Sequence, residues 1–270
     1  MTTIAVSNAK GGVAKSTTAI NIGSVLASMG KRVLLIDMDK GDLTKGVGID
    51  LGDEDKTIYE VLTENEALTV AIKSVTMEKT GTSYDVVPAD NAMVNLDTTL
   101  RTADAPQYKL RKALDAVADK YDYAIVDCPP AIDAATINAL TAADEVLVPA
   151  LPHFYSMDAL SRIVDTIEDV KESLNPDLTL IGVLLTNYAP RSKHHQAVER
   201  DIQEMFPNVL FRTTISSNIA VSESSYEGVD LYEYIASTPS RRHSKAATIY
   251  TNVTHELLER EEGKNNAEKS

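Results

Sequence analysis

The 270-residue chain contains a single cysteine, Cys128. No intrachain disulfide can form, and a cysteine-rich zinc or iron–sulfur centre within one chain is excluded. A lone thiol fits a reducing cytoplasm. The five histidines are scattered apart from His194-His195, whose adjacency is not a metal-ligand spacing. Positive charge is scarce: 26 Lys and Arg against 40 Asp and Glu leave a net charge of −14. That balance argues against a protein that coats nucleic acid through overall charge, while leaving room for a local basic patch. No apolar run approaches the roughly 18 residues that a membrane span needs. Met1-Thr2-Thr3 runs directly into an apolar segment, so no signal peptide is expected. Linkers rich in Gly, Ser or Pro are absent, as are internal repeats. One large domain over residues 1–262 is expected, followed by a charged, flexible tail over 263–270.

Short apolar runs alternate with segments of helical period. The runs predict strands at Ile4–Ser7, Arg32–Asp37, Tyr84–Val87, Tyr123–Asp127, Glu145–Val148, Leu178–Thr186 and Val209–Phe211. Several are continuously apolar, such as Val33-Leu34-Leu35-Ile36 and Ala124-Ile125-Val126, which suits strands covered on both faces. Helices are expected at Ser16–Met29, Tyr108–Asp119, Ile132–Ala142, Met157–Ser173, His194–Met205 and Lys245–Glu262. The alternation predicts an α/β fold: a doubly wound, mostly parallel sheet with helices on both faces. Ligands of such a fold bind beyond the carboxyl ends of the strands.

The first strand leads into Asn8-Ala9-Lys10-Gly11-Gly12-Val13-Ala14-Lys15-Ser16-Thr17, which opens a helix. Strand, glycine-rich turn and helix form the setting of a phosphate-binding loop: successive amides and the helix N-terminus face an anion. Lys15 would hold the β- and γ-phosphates and the Ser16 hydroxyl would serve Mg²⁺. Ala9 and Ala14 occupy the two outer positions where the common P-loop pattern has glycine. Alanine is comfortable there only at negative φ, which is the expectation for both. Lys10 is a second lysine in a loop that needs one.

The run Lys-Gly-Gly-Val-x-Lys-Ser-Thr resembles the deviant Walker A motif of the ParA/MinD superfamily of P-loop ATPases. The resemblance implies that Lys10 reaches the partner subunit's nucleotide, so that two chains sandwich two ATP molecules. It implies that residues 10–17 (Lys10, Gly11, Gly12, Val13, Ala14, Lys15, Ser16 and Thr17) bind the nucleotide. Asp37-Met38-Asp39 at the second strand end places two carboxylates at a spacing of two. By the same resemblance Asp39 positions the attacking water, and Asp37 supports the metal from behind. The family often continues with Pro-Gln-Gly-Asn, where this chain has the shorter Lys40-Gly41-Asp42. Tyr123–Asp127 followed by Cys128-Pro129-Pro130 resembles the Walker B region, with Asp127 on the Mg²⁺ shell and Cys128 a small buried residue rather than a nucleophile. Further similarity extends through residues 138–149, 182–186 and 214–223, covering about residues 2–258. From it, Asn187 and Ser216 are expected against adenine.

The resemblance further implies a cytoplasmic, nucleoid-associated partition ATPase of the short, Soj-like form. Its cofactors are ATP and Mg²⁺. Its partners are a second copy of itself, non-specific double-stranded DNA and a ParB-like centromere-binding protein that stimulates hydrolysis. Two basic clusters are candidates for DNA phosphates: Arg241, Arg242 and Lys245 before the last helix, and Arg191 and Lys193 near His194-His195. No membrane contact is expected, because the last helix carries Glu256, Glu259, Glu261 and Glu262, which an anionic surface repels. The same motifs would serve an ATPase that positions a protein assembly. A metabolic P-loop enzyme would need, in addition, a substrate site opposite the γ-phosphate.

Overall fold

The structure, a computed structural model, describes residues 1–153 and 156–267, excepting the side chains of Ser156, Arg242 and residues 265–267. Seven strands form one sheet: β1 (Thr2–Val6), β2 (Val33–Asp37), β3 (Lys73–Thr76), β4 (Ser83–Val87), β5 (Tyr123–Asp127), β6 (Glu145–Ala150) and β7 (Thr179–Leu185). Their order is β3-β4-β2-β5-β1-β6-β7. All neighbours run parallel except the antiparallel β3–β4 pair at one edge. The sheet is thus the expected mostly parallel one, with β1 between β5 and β6.

Period-two side chains split the core into two layers. Leu34, Ile36, Ala124, Val126, Val146 and Val148 pack on one face with Leu110, Leu140, Leu160 and Ile163 from the helices above them. Val33, Leu35, Ile125, Leu147 and Leu184 face the other way, against Ile22 and Leu26 of the helix Lys15–Ser28 and Tyr250, Val253 and Leu257 of the helix Arg241–Ala267. This is why the central strands read as unbroken apolar runs.

Some elements depart from the sequence expectation. β3 is absent from it, because Lys73-Ser74-Val75-Thr76 is polar and partly exposed, as an edge strand tolerates. Val209–Phe211 forms only an isolated bridge, Val183 to Leu210. Arg260 caps the short pairing: its guanidinium lies 4.3 Å from the Phe211 ring centre and donates to the carbonyls of Ile181 (2.9 Å), Val209 (3.2 Å) and Leu210. The Val209 carbonyl also accepts the Val183 amide at 2.8 Å within the bridge. Short helices at Asp42–Gly46, Ile58–Thr63, Ile219–Tyr226 and Leu231–Ser237 were also not foreseen. The last helix begins at Arg241 and continues to Ala267, through residues expected to form a flexible tail. Lys264, 3.8 Å from Glu145, gives that extension a contact with the sheet.

Candidate nucleotide site

The segment from Ser7 to Ala14 spans the carboxyl ends of the central strands. Asn8 pins its start, donating to the Pro149 carbonyl at 2.7 Å and accepting the Lys10 amide at 3.0 Å. Thr186, just past β7, holds its far side by donating to the Val13 carbonyl at 3.1 Å. Gly12 has φ 71°, as a tight phosphate-facing turn requires, whereas Gly11 has no positive φ.

The expectation for the two alanines is half right. Ala9 keeps a negative φ, but Ala14 adopts φ 68°, ψ 36°. Its carbonyl already accepts the Thr18 amide at 2.9 Å. The chain must therefore turn from loop to helix within that one residue, which a left-handed conformation achieves. Retaining a methyl group there costs about 1 kcal/mol.

Lys15 is 7% exposed, and its ammonium donates to the Lys10 carbonyl at 3.3 Å. That fixes the side chain across the loop and leaves two further donors on the ammonium. Gly11, Gly12, Lys15, Ser16, Thr17 and Asp39 line one cleft of about 430 Å³, together with Asp42, Lys45 and Pro130, to which sequence reasoning had given no part in the site. A second cavity of about 550 Å³ shares Gly12, Ala14, Thr17 and Ser225 with the cleft and brings in Asn187, Ser216 and Tyr250. Asn187, at φ 52°, and Ser216 are brought together by backbone bonds: Tyr188 N–H to the Ile215 carbonyl at 2.9 Å, and Ile215 N–H to the Leu185 carbonyl at 2.8 Å.

Asp37 and Asp127 end adjacent strands and are paired in register. Both are fully buried, and burial raises the pKa of each. Their surroundings differ. Asp37 accepts the Thr44 amide (2.9 Å), the Thr44 hydroxyl (2.8 Å) and the Asp39 amide (3.0 Å). It does not line the cleft, so the two carboxylates of Asp37-Met38-Asp39 are not side by side as the strand spacing suggested. After β2 the chain turns into the helix Asp42–Gly46, whose Thr44 captures Asp37, while Asp39 lines the cleft half-buried. Neither carboxylate oxygen of Asp127 has a partner in hydrogen-bond geometry. The Ser16 hydroxyl approaches and favours its ionised form, while Asp37 beside it opposes ionisation.

No group of three or more His, Cys, Asp or Glu among the described residues is arranged to hold a metal by itself. Ser16 and Asp127 nevertheless suit Mg²⁺. They are oxygen donors, and the orphaned Asp127 carboxylate is the feature that a cation completed by phosphate oxygens would relieve. Cys128 is fully buried and its thiol is pushed up to about 12 by burial first and then by Asp127, so it is not a nucleophile.

Arg241 and Lys245 are exposed on the first turns of the last helix; the Arg242 side chain lies outside the described residues. Arg191 and Lys193 are exposed at the start of the helix Lys193–Met205. His194 and His195 form a triangle with His153, with ring centres 5.9–6.3 Å apart, a grouping that required the fold to bring β6 beside that helix. The apolar stripe Ala246, Tyr250, Val253 and Leu257 is buried on the core, and no helix among the described residues is long and apolar enough to cross a membrane.

A parallel sheet ending in a glycine-bearing loop, a lysine folded across it and a buried orphan aspartate define a P-loop nucleotide-binding protein. Comparison with known proteins agrees. An AAA domain family matches residues 1–180. The chain is 35% identical to the sporulation initiation inhibitor protein Soj of Bacillus subtilis over 255 residues, 94% of this chain and 97% of Soj. It is 39% identical to the chromosome partitioning protein ParA of Caulobacter vibrioides over 235 residues, 86% of each. A structure of cobyrinic acid a,c-diamide synthase from Mycobacterium smegmatis with ADP and magnesium superposes with a TM-score of 0.75 at 31% identity, over 90% of this chain and 98% of that one. The fold also matches an ATP complex of a McdA variant from Cyanothece, with a TM-score of 0.83 at 22% identity, over 95% and 96% of the two chains. The chain belongs to the ParA/MinD superfamily of P-loop ATPases.

Proposed function

We propose that this protein is a partition ATPase that binds Mg·ATP, dimerises across the nucleotides, binds DNA without sequence preference in that state, and is reset by partner-stimulated hydrolysis. The observation that carries the nucleotide reading is Asp127, fully buried without a hydrogen-bonding partner beside the Lys15 and Ser16 cleft. The partition reading is supported by the Soj and ParA relatives, which match over most of both chains.

The residues take the following parts. Loop amides and Lys15 hold the phosphates, with Thr17 at their inner end. Ser16 and Asp127 hold Mg²⁺, which when bound neutralises charge on the transferred phosphoryl group. Asp37 holds the segment 39–46 in place through Thr44 rather than touching the metal. Asp39 orients the attacking water, Lys10 extends to the facing subunit, and Asn187 and Ser216 border adenine. A lysine placed by the partner stabilises developing charge and makes the dimer depend on ATP. Arg241, Arg242 and Lys245, with Arg191 and Lys193, supply DNA phosphate contacts, so binding weakens steeply with salt.

The similarity to a protein named for a diamide synthase raises a metabolic reading. A cavity of about 360 Å³ does adjoin Asp39 on the side away from the loop. Its charged lining is Asp39, Asp42, Asp97 and Asp133 against Lys40 alone, which repels a carboxylate-rich substrate. The deciding experiment measures mass by light scattering, and duplex-DNA binding at low salt, with and without ATP. Wild type is expected to dimerise and bind DNA only with ATP, and Lys10→Ala to retain nucleotide but remain monomeric. An ATP-bound wild type that ignores duplex DNA, or a Lys10→Ala protein that dimerises normally, overturns the proposal.

A further inference from the structure

The two edges of the sheet are finished differently. At the β7 edge, Val183 exchanges backbone bonds with Val209 and Phe211, and Arg260 caps the neighbouring carbonyls. At the other edge, β3 is the last strand of the sheet. Met77, just past it, donates its amide to the Thr82 carbonyl at 2.9 Å and so faces β4. Antiparallel alternation turns Val75 and Lys73 the same way and points the amides and carbonyls of Ser74 and Thr76 outward. No hydrogen bond among the described residues takes up those four groups. Such an edge is a template for another chain, which proteins blunt with a proline, a bulge or an outward charge. β3 has none of these: its register is unbroken, it contains no proline, and its single charge, Lys73, is held by Asp55.

A groove of about 760 Å³ adjoins this edge and shares no lining residue with the cavities of the nucleotide site. Four consecutive residues, Ser74 to Met77, line it. Their side chains alternate between the two faces, so a space touching all four runs along the open edge rather than over one face. The rest of the wall includes half-buried Ile49, Val229 and Tyr234. Glu233, 5% exposed, fixes the turn after β3 by accepting the amides of Lys79 (2.8 Å) and Thr80 (3.0 Å). Charge selects the occupant. Glu78, Glu227 and Glu233 line the groove against Lys79 alone. A second copy would bring the same acidic lining, and DNA its phosphates, so both are repelled.

We propose that the β3 edge is a docking site for an extended, basic segment of a partner protein, which adds a strand to the sheet through the main-chain groups of Ser74 and Thr76. Alternate apolar residues of that segment pack on Ile49, Val229 and Tyr234, and its lysines or arginines face the exposed Glu78 and Glu227. Bound nucleotide has no part in the contact.

Fluorescence anisotropy of a short labelled peptide alternating lysine and valine tests it. Two control peptides carry glutamate for lysine, or proline for the central valines. The basic peptide is expected to bind the full-length protein, with or without ATP, at least about tenfold more tightly than either control, and to slow hydrogen exchange at the Ser74 and Thr76 amides. Thr76→Pro removes one outward amide that the β3–β4 ladder does not use, and should weaken binding about tenfold while the protein melts within a few degrees of wild type. Equal binding of the proline-interrupted peptide reduces the contact to charge attraction and overturns the proposal. So do Ser74 and Thr76 amides that stay unprotected in wild type, a reading that decides alone if Thr76→Pro does not fold. A nucleotide-free dimer in light scattering that Thr76→Pro dissolves assigns the edge to a second copy and also overturns it.

Discussion

The two ends of the sheet each bury a pair of carboxyl groups, and they do so to different ends. At the carboxyl ends of β2 and β5 sit Asp37 and Asp127; near the amino ends of β5 and β6 sit Glu145 and Glu261. Burial raises the pKa in both pairs. In the lower pair, Glu261 accepts the Tyr123 hydroxyl at 2.9 Å and Lys264 lies 3.8 Å from Glu145; Glu145 Oε2 and Glu261 Oε1 have no partner in hydrogen-bond geometry, and a proton retained between the two glutamates would join them. The upper pair is divided: Asp37 has three donors, and Asp127 has none in hydrogen-bond geometry. A raised pKa therefore does not mark a functional site by itself. Each carboxyl of the lower pair keeps a protein partner on one oxygen, whereas the upper pair leaves Asp127 with none beside a lysine-lined cleft.

The largest effect expected from this contrast is at Asp127. Asp127→Asn should lower Mg²⁺-dependent ATP hydrolysis on the order of 100-fold or more, the equivalent of several kcal/mol of lost charge stabilisation. In EDTA, without nucleotide, the same variant should melt higher than wild type, because a buried unpaired charge has been removed. A variant that melts lower would place Asp127 among structural residues and erase the distinction between the ends. Asp37 should behave oppositely. Asp37→Ala strands the Thr44 and Asp39 amides, and should cost about 3 kcal/mol in urea denaturation even without ligand.

At the lower end the effect should depend on pH. Glu145 is raised to about 7, by burial first and then by Glu261, from an ordinary 4.5. Between those values the folded protein binds more protons than the unfolded chain, so stability falls as pH rises through the window. By about pH 8 the loss is complete, on the order of 3 kcal/mol. Glu145→Gln, which cannot ionise, should raise the melting temperature at pH 8 and leave it nearly unchanged at pH 4.5. Equal effects at both pH values would mean that the glutamates do not share a proton.

Much of the upper end was legible in sequence because its chemistry is local. Lys10 to Thr17 are consecutive, Asp37 and Asp127 each close an apolar run that reads as a covered strand, and Asp39 follows two residues on. The partners of these groups were not legible. Thr44 captures Asp37 through a helix too short to show periodicity, and Thr186 reaches Val13 across a sequence separation of 173. The burial of Tyr250 against the helix Lys15–Ser28 follows only from packing the last helix on it. The lower pair was invisible for the same reason: Glu145 begins a strand, and Glu261 lies in what read as a solvated acidic run.

The smallest effect asks whether the upper end is strained in its backbone as well as in its charges. Ala14 holds φ 68° at the junction of loop and helix. Ala14→Gly relieves the clash of a methyl group with a left-handed backbone, worth about 1 kcal/mol, but adds freedom to the unfolded chain, worth about 0.4–1 kcal/mol in the other direction. The two nearly cancel, so the melting temperature should move by no more than a few degrees, upward if at all. Nucleotide affinity should hold or improve slightly, since the loop keeps its shape with less strain. A marked loss of stability would show that the methyl group packs favourably where it stands, and that the alanine in the glycine position is a contact rather than a tolerated cost.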